Sequence, residues 1–89
     1  MKKANLTKID VEKWRFILYE TINGKWIGDF VYSPQSFVDL SMLIELTDSE
    51  KALAEKNRQY LIDFSEDIRN NHFDYLKRAL NRDNYLFNG

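Results

Sequence analysis

The sequence contains no cysteine, and this absence excludes disulfide bonds, thiolate metal ligands and cysteine nucleophiles. Its one histidine, His72, is the only side chain around which a Ser–His–Asp triad or a histidine-based zinc site could be built. The three glycines, Gly24, Gly28 and Gly89, do not have the spacing of a phosphate-binding loop or a dinucleotide-binding fingerprint. We therefore expect a protein that is not an enzyme, with no catalytic residue, no metal site and no cofactor.

An excess of one charge and long hydrophobic runs are also missing. The 13 basic and 14 acidic residues give a formal net charge of −1, which gives no electrostatic reason to expect nucleic acid. Weak nucleic-acid binding by the basic residues near the two termini is kept only as a minor alternative. No apolar run exceeds four residues, so the sequence predicts neither a signal peptide nor a membrane span, and we expect a cytoplasmic protein.

Aromatic and β-branched residues on both sides of Asn23-Gly24 predict a β-hairpin over residues 13–33. A two-residue loop would mix charged and apolar side chains on one face. A three-residue loop, residues 22–24, pairs Thr21 with Lys25 and separates the faces better, so we favour it. In this register one face carries Trp14, Phe16, Leu18, Trp26, Phe30 and Tyr32.

The segment that follows the hairpin allows two interpretations. Residues 33–36, Ser-Pro-Gln-Ser, predict a turn or linker, and residues 36–46 then carry apolar residues at alternate positions, as in a half-buried strand. The alternative is a helix that begins at Ser33-Pro34. We favour the strand.

Two helices are predicted after residue 46. The "TDSE" of residues 47–50 has the form of a capping box and should begin a helix that runs from 48 to 70. A second helix should cover residues 72–81, where apolar residues recur at helical spacing. The prediction is one α+β domain, residues 1–89: a polar lead-in (1–12), a three-stranded antiparallel β-meander (13–46), two helices packed on one face of the sheet (47–81) and a tail (82–89).

Two helices can cover only one face of such a sheet, which leaves apolar side chains on the other face among charged ones. Protein interfaces have this anatomy, and tryptophan is enriched among the residues that dominate binding. We predict a partner-binding site formed by Ile17, Tyr19, Trp26, Ile27, Asp29, Val31 and Leu43. An ordinary solvated face is the alternative, and the tail with Tyr85, Leu86 and Phe87 could also fold over it.

The hairpin that begins at Trp14 and contains "NGKW", the strand that ends in "IELTDSE" and the long helix together resemble small bacterial α+β proteins. Some of these are immunity proteins encoded beside secreted toxins, and the resemblance covers residues 13–70. It implies a partner protein, such as a toxin or enzyme that is inhibited, and no catalytic residue. The alternative is a homo-oligomeric structural or accessory protein in which Ile17, Tyr19, Ile27 and Val31 pack against a second copy.

Overall fold

The structure is a computed structural model that describes residues 3–35 and 38–88. Its helices and strands confirm the α+β class. In chain order they are β1 (Ala4–Glu12), β2 (Phe16–Thr21), β3 (Trp26–Gln35), β4 (Val38–Glu45), α1 (Asp48–Lys56), α2 (Gln59–Asn70), α3 (His72–Tyr75) and β5 (Tyr85–Asn88), with 3-10 turns at Leu76–Arg78 and Arg82–Asn84.

The strands form one sheet in the order β4-β3-β2-β1-β5. All neighbours are antiparallel except β1 and β5, which are parallel. The predicted meander is therefore present as β2, β3 and β4, and the strand interpretation of residues 36–46 is confirmed for Val38–Glu45.

The prediction of only three strands is wrong, because the polar lead-in forms β1 and the tail forms β5. Leu6 is the one fully buried residue of β1, and the apolar side chains of Ile9 and Val11 remain 43% and 48% exposed, so the strand does not bury a continuous face. Strand β5 has only four residues, of which Tyr85 alone is partly buried. Backbone pairing at the side of the sheet, rather than burial of one face, gives both segments their strand conformation.

The hairpin register is the predicted one. Phe16 lies opposite Phe30 and Glu20 lies opposite Trp26, and Gly24 has a φ of 83° in the turn. Trp14, however, is not opposite Tyr32 in the core. It lies in the turn between β1 and β2 with a φ of 68°, because the chain reverses there to form β1.

The turn or linker predicted over residues 33–36 is wrong for residues 33–35, because β3 continues to Gln35, and Ser36 lies outside the described residues. Pro34 lies where the pairing of β3 with β4 shifts register, between Tyr32 and Gln35, and such an irregularity is a place where a strand tolerates a residue without an N–H.

The capping box is confirmed. The Glu50 N–H donates to the Thr47 hydroxyl at 3.1 Å, and the Thr47 N–H donates to the Glu50 carboxylate at 2.8 Å. The predicted helix over 48–70 is broken after Lys56, where Asn57 adopts an extended conformation. The helix predicted over 72–81 ends at Tyr75 and continues only as a 3-10 turn.

A hydrophobic cluster lies on each side of the sheet. On the side covered by α1 and α2, which we call the helix face, the buried residues are Phe16, Leu18, Phe30, Tyr32, Met42, Ile44, Leu46, Ala54, Leu61, Phe64 and Ile68. On the opposite side the buried residues are Leu6, Tyr19, Ile27 and Leu43, with Ile17, Leu80 and Tyr85 packed against them.

Residues 79–88 form what we call the C-terminal strap. The Leu80 N–H donates to the Leu43 C=O at 2.8 Å at the outer edge of β4. Arg82 then contacts Asp29 and Ser41, and β5 pairs with β1 at the other side of the sheet. The strap thus crosses the second face of the sheet from one edge to the other, and we call that face the strap face.

Candidate functional site

The C-terminal strap covers the centre of the face on which a partner site was predicted. Tyr19 is 8% exposed, and Ile27 and Leu43 are each 1% exposed. The Phe87 ring packs edge-on against Tyr19 with 5.2 Å between centroids. These three predicted site residues are therefore part of a hydrophobic core and do not lie on the accessible surface.

Trp26 lies on the helix face, away from the other predicted site residues. Its indole N–H donates to Glu20 at 3.3 Å, and the Lys51 ammonium lies 5.5 Å from the ring centroid. Lys51 also donates to the Gly24 C=O at 2.7 Å. Trp26 therefore helps to fasten the hairpin to α1.

Asp29 is held by the strap. Both of its carboxylate oxygens accept from Arg82, at 2.8 and 3.1 Å, and its side chain is 13% exposed. The hydrogen bonds that Arg82 donates to Asp29 raise the pKa of Arg82. Burial, and then the negative charge of Asp29, raise the pKa of the neighbouring Tyr19 hydroxyl. The carboxylate of Asp29 is thus already paired with an arginine of its own chain, at the border of the region that the strap covers.

The remaining predicted residues, Ile17 and Val31, line a groove that the strap leaves open. The groove has a volume of about 340 Å³ and lies beside the turn between β1 and β2. Val11 and Trp14 form its other apolar walls. We call this groove, with Val11, Trp14, Ile17 and Val31 among its lining residues, the Trp14 groove. Its floor lies on β2 and β3, two strands that are paired on both sides.

Trp14 has an unusual backbone and an unusual exposure. Its φ of 68° is in the left-handed region, which costs a residue other than glycine roughly 1 kcal/mol. The turn is held by two hydrogen bonds of 3.0 Å, from the Arg15 N–H to the Glu12 C=O and from the Val31 N–H to the Arg15 C=O. The side chain is nevertheless 73% exposed. The fold therefore holds a large apolar side chain in solvent at the lip of an apolar groove.

Two carboxylates at the rim of the Trp14 groove are bound by arginines. Glu12 accepts from Arg58 at 2.8 Å, and Asp29 is bound by Arg82 as described. Arg58 also binds both oxygens of Asp10 and donates to the Val11 C=O at 3.1 Å. The hydrogen bonds from Arg58 hold the pKa of Asp10 below its usual value.

His72 lies at the start of α3 and stacks on Tyr32, with ring centroids 5.2 Å apart. Both of its ring nitrogens are buried and have no hydrogen-bond partner within the described part of the chain. Across residues 3–35 and 38–88, no three His, Asp or Glu side chains are grouped so that they could hold a metal ion. No helix in the same ranges has both the length and the apolar character that crossing a bilayer requires.

No family model matches this sequence, and no curated protein and no solved structure is significantly similar to it. These comparisons do not bear on the resemblance to immunity proteins. We therefore infer the function from the geometry of the Trp14 groove.

Sequence reasoning missed Val11 and Trp14 as residues of the groove. Val11 was placed in the lead-in, although Ile9 and Val11 alternate there with Asp10 and Glu12, a pattern that could have indicated a strand. Trp14 was placed in the core because strand alternation was continued through it. No residue type in the segment signals its positive φ.

Proposed function

We propose that this chain is a non-enzymatic protein-binding module and that its partner docks on the Trp14 groove. The observation that carries the proposal is the placement of Trp14, which is 73% exposed and lies beside an open apolar groove. The form of this function that fits the resemblance is an inhibitor or immunity protein that neutralises a toxin or another enzyme by covering part of its surface.

The chemistry of the groove supports docking of a protein. Apolar side chains at its centre, Val11, Ile17 and Val31, are surrounded by charged ones, as at the centre and rim of an interface. Tryptophan contributes large contact area at a small cost in side-chain entropy. The backbone around Trp14 is fixed by paired strands and turn hydrogen bonds, so little ordering would be needed on binding.

Affinity capture from the native cells with matched variants tests this proposal. We expect a stoichiometric partner to co-purify with the tagged wild-type chain and to be lost with Trp14→Ala. Removal of a dominant interface tryptophan costs about 2 kcal/mol or more, which is roughly 30-fold in Kd. Ile22→Ala is the control, because Ile22 is 92% exposed in the hairpin loop and does not line the groove.

Circular dichroism and thermal unfolding of both variants show whether the fold is intact, and neither change removes a buried side chain. Equal capture of the partner by the wild type and by folded Trp14→Ala would contradict the proposal.

The alternative of a homo-oligomer is less well supported by the fold. Of its four predicted contact residues, Tyr19 and Ile27 are buried beneath the strap of their own chain. Light scattering at high micromolar concentration decides this point, since a monomer there excludes a stable oligomer.

The nucleic-acid alternative also loses support. Two of the basic residues near the C-terminus, Arg78 and Arg82, are engaged in ion pairs with Glu50 and Asp29. Phosphate contacts would have to replace those pairs. Retention on heparin at low salt that is lost at higher salt would favour this alternative.

A further inference from the structure

The rim of the Trp14 groove has free hydrogen-bond donors but few free acceptors. The carboxylates of Glu12 and Asp29 are each bound by an arginine at 2.8 Å. A cationic partner group would therefore have to compete with Arg82 for both oxygens of Asp29 and with Arg58 for Oε1 of Glu12, which leaves Oε2 of Glu12 as the one oxygen of these two carboxylates without a donor in the described residues. Breaking such a pair leaves the arginine without its counter-charge, which is unfavourable.

The cations at the same rim are differently placed. The ammonium of Lys13 lies 5.7 Å from the Trp14 ring centroid and has no carboxylate partner among the residues that the structure describes. Arg15 uses one nitrogen, Nη1, to donate to Glu66 at 2.7 Å. Within 3–35 and 38–88, its Nε and Nη2 have no acceptor.

Lys13 and Arg15 flank Trp14 in the chain, and all three residues line the groove. A guanidinium with unused N–H groups can bind a carboxylate through two parallel hydrogen bonds. A partner protein that covered this rim with apolar or basic groups would remove both cations from water and give them no new hydrogen-bond acceptor. This unfavourable free energy would weaken the binding of such a partner.

We propose that the segment of the partner protein that fills the Trp14 groove carries an apolar side chain flanked by carboxylates. This inference rests on the proposed function. The apolar side chain contacts Val11, Ile17 and Val31, and the flanking carboxylates bind Lys13 and Arg15. Such an arrangement uses the groove for affinity and the cationic rim for selection between partners.

Short blocked peptides test the charge preference directly. The probes share a central Leu-Phe pair, flanked on both sides by glutamates, glutamines or lysines. Each is titrated into the isotope-labelled full chain while the indole N–H resonance of Trp14 is followed by NMR. We expect the glutamate peptide to shift this resonance with a Kd about tenfold lower than that of the glutamine peptide, and the difference to shrink as salt is added.

The variant Lys13→Glu should reverse the order, so that the lysine peptide binds more tightly than the glutamate peptide. Lys77→Glu is the matched control, because it changes the net charge equally and lies in the 3-10 turn after α3. It should retain the wild-type order. Neither side chain is paired with a carboxylate in the described residues, so both variants should fold.

Three results would overturn the inference: equal binding of the glutamate and glutamine peptides, the same order in Lys13→Glu as in Lys77→Glu, or no shift of the Trp14 resonance with any peptide. Charge-independent shifts of Trp14 would leave the groove as a docking site and remove only the acidic partner. The proposed function fails separately, when folded Trp14→Ala still captures the full-length partner.

Discussion

Gly28 shows at the scale of one residue how tightly the helix face is packed. A Cβ at this position would lie 2.3 Å from Cε2 of Phe30. The Phe30 ring cannot easily move away, because it is fully buried and packs edge-on against Phe64 at 5.3 Å. The Phe30 ring therefore occupies the space that a side chain at position 28 would need.

We predict that Gly28→Ala lowers the free energy of unfolding by about 2 kcal/mol, the range typical of overpacked cores. Urea denaturation at neutral pH measures this change. Gly24→Asn is a useful comparison, because no atom of the described residues lies within 4 Å of a Cβ there and only the φ of 83° must be accommodated. It should cost less than Gly28→Ala. A Gly28→Ala protein as stable as the wild type would contradict this packing.

Arg58 is the second residue with a large structural role. It binds Asp10, Glu12 and the Val11 C=O, all on β1. The Val11 N–H donates a hydrogen bond to the Asp10 carboxylate at 2.8 Å. These contacts occupy backbone groups on the part of β1 that β5 does not pair with, a common protection against edge-to-edge association.

The pH dependence of stability should report on this contact. Hydrogen bonding to Arg58 lowers the pKa of folded Asp10 below that of the unfolded chain, so the folded state binds fewer protons. The resulting stabilisation is present above the unfolded-state pKa, roughly 3.9. It is lost as the pH falls through the lower, folded-state pKa.

We therefore predict that Arg58→Gln reduces stability at pH 7 by about 1 kcal/mol and reduces the loss of stability on acidification below about pH 4. Urea midpoints at several pH values test this. Arg69→Gln is the control, because Arg69 is exposed and has no ion pair in the described residues. If the pH profile of Arg58→Gln runs parallel to that of the wild type, the assigned role of Arg58 is wrong.

At the scale of the elements, the break between α1 and α2 places Arg58 beside β1. The Asn57 side chain accepts from the Gln59 N–H at 3.0 Å, which supplies the first turn of α2 with an acceptor. The prediction of one helix over residues 48–70 is therefore wrong at this point. Asparagine is a good capping residue, and here local capping outweighs continuation of the helix.

The C-terminal strap is the element that turns a predicted open face into a core. Its charged contact, Arg82 with Asp29, is reinforced by the Ser41 hydroxyl, which accepts from Arg82 at 2.9 Å. Because the Asp29 side chain is only 13% exposed, removal of Arg82 would leave a largely buried carboxylate without its counter-charge.

We predict that Arg82→Ser costs about 2 kcal/mol and that the double variant Asp29→Ser/Arg82→Ser costs less than the sum of the two single changes. Denaturant unfolding of the four proteins completes the cycle. Limited proteolysis should cut the strap faster in Arg82→Ser than in the wild type. Additive costs, with no change in proteolysis, would show that this pair does not hold the strap.

At the scale of the whole molecule, local chemistry was readable from the sequence, whereas pairing between distant segments was not. The hairpin register followed from Asn23-Gly24 and from the separation of faces, and the helix start followed from Thr47 and Glu50. Pairing of β1 with β5 joins opposite ends of the chain through backbone hydrogen bonds, which leave little trace in side-chain patterning.

The same contrast between local signals and distant contacts applies to the residues of the candidate site. Ile17 and Val31 were recognised because they alternate with core residues on regular strands. The burial of Tyr19, Ile27 and Leu43 depends on where the strap crosses the sheet, and this was not determined by their own neighbours in sequence. The position of Trp14 depends on a chain reversal that creates β1, so it could be seen only once that strand was known.

The measurement that tests the central claim most directly is hydrogen exchange of the chain with and without its captured partner, followed by NMR at single amides. The Lys13 and Trp14 N–H groups, like those of Ile22 and Asn23, have no backbone acceptor in the described structure. We predict that the partner slows exchange at Lys13 and Trp14 and leaves Ile22 and Asn23 unchanged. Protection of the hairpin loop with continued fast exchange at Lys13 and Trp14 would show that the partner binds elsewhere.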